Sequence, residues 1–316
     1  MRLVTALPLV GALLCPAGAS KGQVRDLRED VKELAIRHRT EHYELAGTVS
    51  DNRLVEYGRC LEYIYREYAQ GFGELLSAAA QGTDQMPKTK PRSGLAEPRP
   101  STSESQERFK VVIFAEQAEY DEFGRSYFAG RAEHTRGLYV PVVKLLLIRD
   151  ELTSQETYDI LFHEAFHQFI DRYIHAAPVW INEGLATYYG TARVTPRGLV
   201  FDRPRSDYAD VVASVASLGQ LIPLGELMTA TSESFYRREP VPRTELDRVT
   251  LSYAQSYTLV AYMLGDAGGR EHLRRYLRDL AKARDPDAAK VVTQTVFPDS
   301  LLSALVTEWL HFVNQH

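Results

Sequence analysis

Hydrophobic residues along this chain of 316 residues follow a helical period in some segments and form short apolar runs in others. In three segments apolar residues recur every three or four positions, which predicts amphipathic helices. These segments are residues 52–76, 162–173 and 252–264. Three shorter apolar runs predict buried strands. These runs are residues 109–115, 137–140 and 143–148.

Similar patterns occur before and after these central elements. A charged helix and a strand-like segment at residues 43–49 precede the first long helix. A short hairpin with strands at residues 191–194 and 199–202 is predicted after the helix at 162–173. Residues 206–316 are predicted to be mostly helical. The fold class is therefore predicted to be α+β, with a small mixed sheet lobe and a mainly helical C-terminal lobe.

The first nineteen residues have the parts of a signal peptide. Arg2 precedes an apolar stretch at residues 3–14, and a sequence of small residues, A-G-A, ends at Ala19. We therefore expect cleavage near Ala19 and export to the periplasm or the medium. Cys15 raises the alternative of a lipid anchor, but the large residue before it does not fit a lipoprotein signal.

The mature chain divides into three parts. Residues 20–80 are predicted to form an N-terminal strand and helix region. Residues 81–108 are predicted to be a disordered linker or insertion, because residues 81–107 contain four prolines and no aromatic residue. Residues 109–316 are predicted to form the main domain, which contains the candidate chemistry described below.

Composition and charge exclude several classes of protein. The chain is 44% hydrophobic and 25% charged, which is typical of a globular protein. A net charge of −5 argues against a nucleic-acid partner, since such proteins usually carry a basic surface. Beyond the signal peptide no apolar run is long enough for an integral membrane span. Cys60 is the single cysteine expected in the mature chain, so no intrachain disulfide is predicted.

The sequence H-E-A-F-H at residues 163–167 is the strongest chemical signal. On a helix, residues four apart share a face, so His163 and His167 can direct imidazole nitrogens at one ion. A catalytic zinc site has three protein ligands and leaves a position for water. Glu164 follows the first histidine and can take a proton from that water, which makes it the candidate general base. Glu183, separated from His167 by fifteen intervening residues, is the candidate third ligand.

The segment around Glu183 resembles a known family. W-I-N-E-G-L-A at residues 180–186 is similar to the W-x-N-E-G-x-A signature of gluzincins, which are zinc metallopeptidases with a glutamate as third ligand. H-E-x-x-H-Q followed by P-x-W-x-x-E-G-x-A, starting at Pro178, most resembles bacterial peptidase MA-like proteins. The resemblance implies a zincin-like fold, a Zn²⁺ cofactor, a peptide or protein substrate, and His163, His167 and Glu183 as ligands.

Further roles are implied by the same resemblance. Tyr253 matches the tyrosine that stabilises the oxyanion in gluzincin aminopeptidases, and Tyr257, one helical turn later, is the substitute. Thr187 stands where thermolysin-like gluzincins have an aspartate that orients a ligand histidine. The run 143–148 takes the place of the edge strand that pairs with substrate, although an ordinary interior strand is the alternative.

The function predicted from these residues is zinc-dependent hydrolysis of peptide bonds. Two alternatives stay open. The first is a non-catalytic zincin-fold binding module of the cell envelope, against which the intact Glu164 argues. The second is a zinc amidase that acts on a wall peptide.

Overall fold

A computed structural model of the chain describes residues 21–82, 107–128, 135–150, 154–201 and 206–315. The predicted signal peptide and most of the predicted linker lie outside these residues. The strands are β1 (His38–Arg39), β2 (Tyr43–Gly47), β3 (Phe109–Phe114), β4 (Gly137–Val140), β5 (Leu145–Arg149), β6 (Ala192–Thr195) and β7 (Gly198–Phe201). The helices are α1 (Lys21–Lys32), α2 (Asp51–Gly82), α3 (Gln117–Phe128), α4 (Ser154–Tyr173), α5 (Val179–Gly190), α6 (Ser206–Ser217), α7 (Leu224–Met228), α8 (Ser232–Phe235), α9 (Arg248–Gly265), α10 (Ala267–Leu280), α11 (Pro286–Val296) and α12 (Asp299–Val313).

Five strands form a mixed sheet in the order β1-β2-β3-β5-β4. Strands β2, β3 and β5 are parallel, whereas β1 and β4 pair antiparallel at the two edges. The α+β fold class and the small mixed sheet are thereby confirmed. The predicted hairpin is also present, because β6 pairs with β7 and the turn lies between Thr195 and Gly198.

The edge strand is not the one that the sequence predicted. The run 143–148 overlaps most of β5, which lies inside the sheet between β3 and β4. Its residues Leu145 to Ile148 are all buried, as expected for a strand that is covered on both faces. The edge strand next to β5 is β4. It reaches this position because the chain turns back after Val140 and β4 pairs with β5 antiparallel.

Helices cover both faces of the sheet. Val111 and Ile113 of β3 share a hydrophobic cluster with residues of α2 and α4 on one face. Val112 of β3 and Leu147 of β5 belong to a second cluster with residues of α1 and α3 on the other face. Alternation of side chains along each strand produces this division. Helix α4 is therefore packed directly against the sheet.

The long predicted helices are confirmed, with changed limits. Residues 162–173 form the second half of α4, and residues 252–264 lie within α9. Helix α2 continues to Gly82, beyond the predicted end at residue 76, and has non-helical backbone angles at Phe72. From Ser206 onward the described chain is mostly helical, as predicted. None of the helices described combines the length and apolar character that a bilayer span requires.

Candidate metal centre

Helix α4 carries the two histidines on one face. The Nε2 atoms of His163 and His167 lie 3.0 Å apart, and both side chains are buried. Apolar residues of the same helix, including Phe162 and Phe166, pack into the main hydrophobic cluster and orient the helix. The spacing of four residues thus brings the imidazole nitrogens together, as the sequence predicted.

Helix α5 brings Glu183 to the same point. Its Oε2 lies 3.3 Å from Nε2 of His163, and its Oε1 lies 3.7 Å from Nε2 of His167. One ligand atom from each of the three residues lies within 4.8 Å of the others. Glu183 is fully buried. The three predicted ligands therefore form one buried cluster that could bind a metal ion.

Asn182 orients His167. Nδ1 of His167 donates to Oδ1 of Asn182 over 2.9 Å, and both groups are buried. Because a carbonyl oxygen can only accept, the proton lies on Nδ1, and Nε2 carries the lone pair that a metal requires. The sequence assigned this kind of support to Thr187. That assignment is wrong for His167, since the buried hydroxyl of Thr187 has no hydrogen-bond partner.

The protonation states suit a cation. Burial alone raises the pKa of Glu183, but the neighbouring His167 and His163 and the hydroxyl of Tyr236 lower the pKa overall. Burial lowers the pKa of His167, and this outweighs the opposite effect of Glu183. At neutral pH the cluster thus holds a carboxylate and a neutral imidazole, which are the metal-binding forms.

Glu164 lies beside this cluster and is fully buried. Its Oε2 accepts a hydrogen bond of 2.9 Å from the backbone N–H of Tyr139 in the edge strand β4. Its Oε1 has no hydrogen-bond partner. Burial, followed by the charge of Glu183, raises the pKa of Glu164 well above its usual value. One oxygen of the predicted base is therefore held by the sheet, and the other is available.

Two buried carboxylate oxygens without hydrogen-bond partners show whether the site suits a cation. Oε1 of Glu164 and Oε2 of Glu183 are both buried without a hydrogen bond. An unpaired buried carboxylate oxygen costs several kcal/mol of stability, whereas a divalent cation between the ligands would satisfy Glu183 and reduce the repulsion with Glu164. Two imidazoles and a carboxylate suit zinc and several other divalent transition metals. The residues present fit such an ion.

The predicted oxyanion tyrosine is close to the ligands. Tyr253 of α9 is 7% exposed, and its pKa is raised well above the usual value, first by burial and then by the charge of Glu183. The substitute, Tyr257, is 1% exposed, and its ring packs against Tyr208 with the centroids 5.2 Å apart. The charge of Glu183 thus acts on the hydroxyl of Tyr253.

Tyr236 is a site residue that the sequence did not predict. Its hydroxyl donates to Oε1 of Glu183 over 2.6 Å, although 53 positions separate the two residues in the chain. Its ring lies 6.3 Å from the ring of Tyr253. The residue follows the short helix α8 and belongs to no motif, so no signal in the sequence distinguishes it from the other seventeen tyrosines.

No protein-family model matches the chain, and a search of the curated proteins found no match either. The geometry and the residues of the candidate metal centre are therefore the evidence for a function.

Proposed function

We propose that this protein is a zinc-dependent peptidase with a zincin-like fold of the gluzincin type. His163, His167 and Glu183 would bind the zinc ion, and Glu164 would act as general base. The observation that supports this most strongly is the buried His163–His167–Glu183 cluster, with a free oxygen of Glu164 beside it. The proposed substrate is a peptide or a protein.

The composition of the cluster favours a catalytic site over a structural one. Structural zinc sites usually have four protein ligands, whereas catalytic sites have three and leave a position for water. Within the described residues the cluster has three candidate ligands, and the charge of Glu183 raises the pKa of Glu164, the residue that matches the base. A bound zinc ion lowers the pKa of a water molecule towards neutrality and polarises a carbonyl group.

Glu164 moves the proton in this proposal. Because the N–H of Tyr139 holds Oε2, Oε1 is the atom that accepts the proton of the attacking water. The same oxygen then transfers the proton to the amine nitrogen that leaves. A base fixed by the sheet on one side loses little orientational freedom in this step. Tyr253 is proposed to donate its hydroxyl hydrogen to the developing oxyanion.

The edge strand β4 offers a place for extended substrate. It pairs with β5 along one edge and ends the sheet on the other. Tyr139 directs its backbone N–H out of the sheet towards Glu164, so this edge of β4 adjoins the proposed base. A peptide that adds to the sheet there, through main-chain groups of β4 other than the N–H of Tyr139, would bring its backbone to the metal centre.

Metal analysis and peptide cleavage test the proposal together. The dialysed wild-type protein should contain about one zinc ion per chain, because a catalytic site of this type holds one ion. Alanine at His163, His167 or Glu183 should lower the zinc content. Glu164→Gln should retain zinc and lose at least roughly 100-fold in turnover of a mixed peptide library, with products mapped by mass spectrometry.

The outcomes separate the alternatives. Full zinc retention in Glu183→Ala would remove Glu183 from the site and contradict the proposal. Zinc binding without cleavage of peptides would favour the binding module, whereas cleavage confined to wall peptides would favour the amidase. Equal turnover by wild type and Glu164→Gln would mean that another site or a contaminant cleaves the peptides.

A further inference from the structure

We infer that Tyr236 is a positioning residue that binds one oxygen of Glu183 and thereby presents the other oxygen to the metal. The inference rests on the proposed function, because it concerns the same metal centre. It assigns distinct roles to the two oxygens of the third ligand, and it adds a residue that neither the H-E-x-x-H motif nor the segment around Glu183 contains.

The two oxygens of Glu183 have different surroundings. Oε1 accepts the hydroxyl hydrogen of Tyr236 over 2.6 Å. Oε2 has no hydrogen-bond partner and lies 3.3 Å from Nε2 of His163. A carboxylate with one oxygen held by a strong donor is restricted in rotation about its last bond. Oε2 is therefore the oxygen that would bind a metal ion, and the hydrogen bond to Oε1 fixes the orientation of the carboxylate.

The fold holds Tyr236 in this position from both sides. Before it, Thr231 caps α8 by accepting a hydrogen bond from the backbone of Ser234, and Phe235 is buried against the ring of Tyr253. After it, the backbone N–H of Arg248 donates to the carbonyl of Glu239 over 2.8 Å and ties the following loop to the start of α9. A hydroxyl on such an anchored segment can position Glu183 without a large entropic cost.

Tyr236 thus supports the carboxylate ligand as Asn182 supports the ligand His167. Hydrogen bonds to the far side of a ligand set its orientation, and their loss typically reduces metal affinity by roughly 10- to 100-fold. Tyr253 is the rival for this role, because it is buried and its pKa is also raised by Glu183. The hydroxyl that lies 2.6 Å from Oε1 is, however, that of Tyr236.

Zinc affinity tests the inference without the use of activity. The dissociation constant of zinc is measured on the full chain by competition with a chelator, for wild type, Tyr236→Phe and Tyr253→Phe. Tyr262→Phe is the matched control, because the hydroxyl of Tyr262 donates over 2.6 Å to Glu308, a carboxylate that is no part of the site. We expect Tyr236→Phe to weaken zinc binding by roughly 10- to 100-fold and the other two to stay within about threefold.

A loss of packing is separated from a loss of positioning by two measurements. Phenylalanine keeps the ring, so folded metal-free Tyr236→Phe should have the circular dichroism spectrum of metal-free wild type, although its melting temperature should fall because Oε1 of Glu183 loses its donor. In addition, Tyr236→Phe should have no further effect on zinc affinity when Glu183 is already alanine, because the hydroxyl acts through Glu183. An equal loss in both backgrounds would overturn the inference.

The remaining outcomes are distinguishable. Tyr236→Phe with the zinc affinity of wild type would refute the inference and leave the proposed function intact. A loss confined to Tyr253→Phe would also refute it, since the rival tyrosine would then hold the ligand. Wild type that binds no zinc would refute the proposed function itself, and the inference with it.

Discussion

Gly184 follows the candidate ligand Glu183 at a point where α5 lies close to α9. A Cβ atom at this position would lie 2.7 Å from the backbone oxygen of Ser256 and 2.8 Å from Cγ2 of Val260. A side-chain methyl can rotate away from such a contact, whereas a carbonyl inside a helix cannot. Gly184→Ala must therefore move α5 away from α9 or distort one of the two helices.

The expected magnitude follows from two opposing terms. Overpacking a well-packed interior costs roughly 1–3 kcal/mol, and the upper end applies because the obstructing atom belongs to the backbone. Alanine favours the helix over glycine by about 1 kcal/mol. The free energy of unfolding of Gly184→Ala should thus fall by about 2 kcal/mol. Gly73→Ala in α2 is the control, because its Cβ would meet no atom within 4 Å.

Urea unfolding of the metal-free proteins measures both changes. The unfolding midpoint of Gly184→Ala should lie below that of wild type, whereas Gly73→Ala should be equal to wild type or up to about 1 kcal/mol more stable. Coincident transitions by circular dichroism and tyrosine fluorescence would justify a two-state treatment. If Gly184→Ala were as stable as Gly73→Ala, the close approach of α5 to α9 would be refuted.

Three further predictions concern single side chains. Tyr253→Phe should retain zinc and lower kcat roughly 100-fold with little change in KM, and a change below about threefold would mean that Tyr253 only packs. Burial alone raises the pKa of Glu62, but hydrogen bonds from Thr40 and His42 lower the pKa overall. Its charge therefore stabilises the fold above the unfolded pKa of about 4.3, and the stability gap between wild type and Glu62→Gln in urea should narrow as the pH falls below that value. Burial raises the pKa of Cys60 to about 11. In a variant whose other cysteine is replaced by serine, a thiol reagent at about pH 8 should therefore label Cys60 slowly in the native protein and fast in denaturant.

The parts of the metal centre that the sequence predicted depend on local spacing or on a short signature. His163 and His167 share a face because four residues span about one helical turn, whatever surrounds the helix. Glu183 was assigned from the W-x-N-E-G-x-A resemblance, and α5 brings it within 3.7 Å of both imidazoles. The first prediction is decided within one helix, whereas the position of Glu183 depends also on the packing of α5 against α4.

The parts that the sequence did not predict depend on tertiary placement. The apolar runs that form β4 and β5 are equally suitable as interior strands in the sequence. Only the order of the strands in the sheet decides that β4 lies at the edge. Tyr236 and Asn182 meet the ligands only after α8 and α5 have packed. A tyrosine hydroxyl has no spacing rule, so its partner cannot be read from the neighbouring residues.

Packing of α5 between two helices explains why the ligands meet. At its last residue, Gly190, a Cβ atom would lie 2.9 Å from the backbone oxygen of Asp159 in α4, the helix with the two histidines. At Gly184 the same helix touches the backbone of α9, which carries Tyr253. Glu183 directly precedes the close approach at Gly184, on a helix that is also held at Gly190. Its distance to the imidazoles is therefore set by backbone contacts rather than by the reach of a flexible side chain, which is the rigidity that a preorganised metal centre requires.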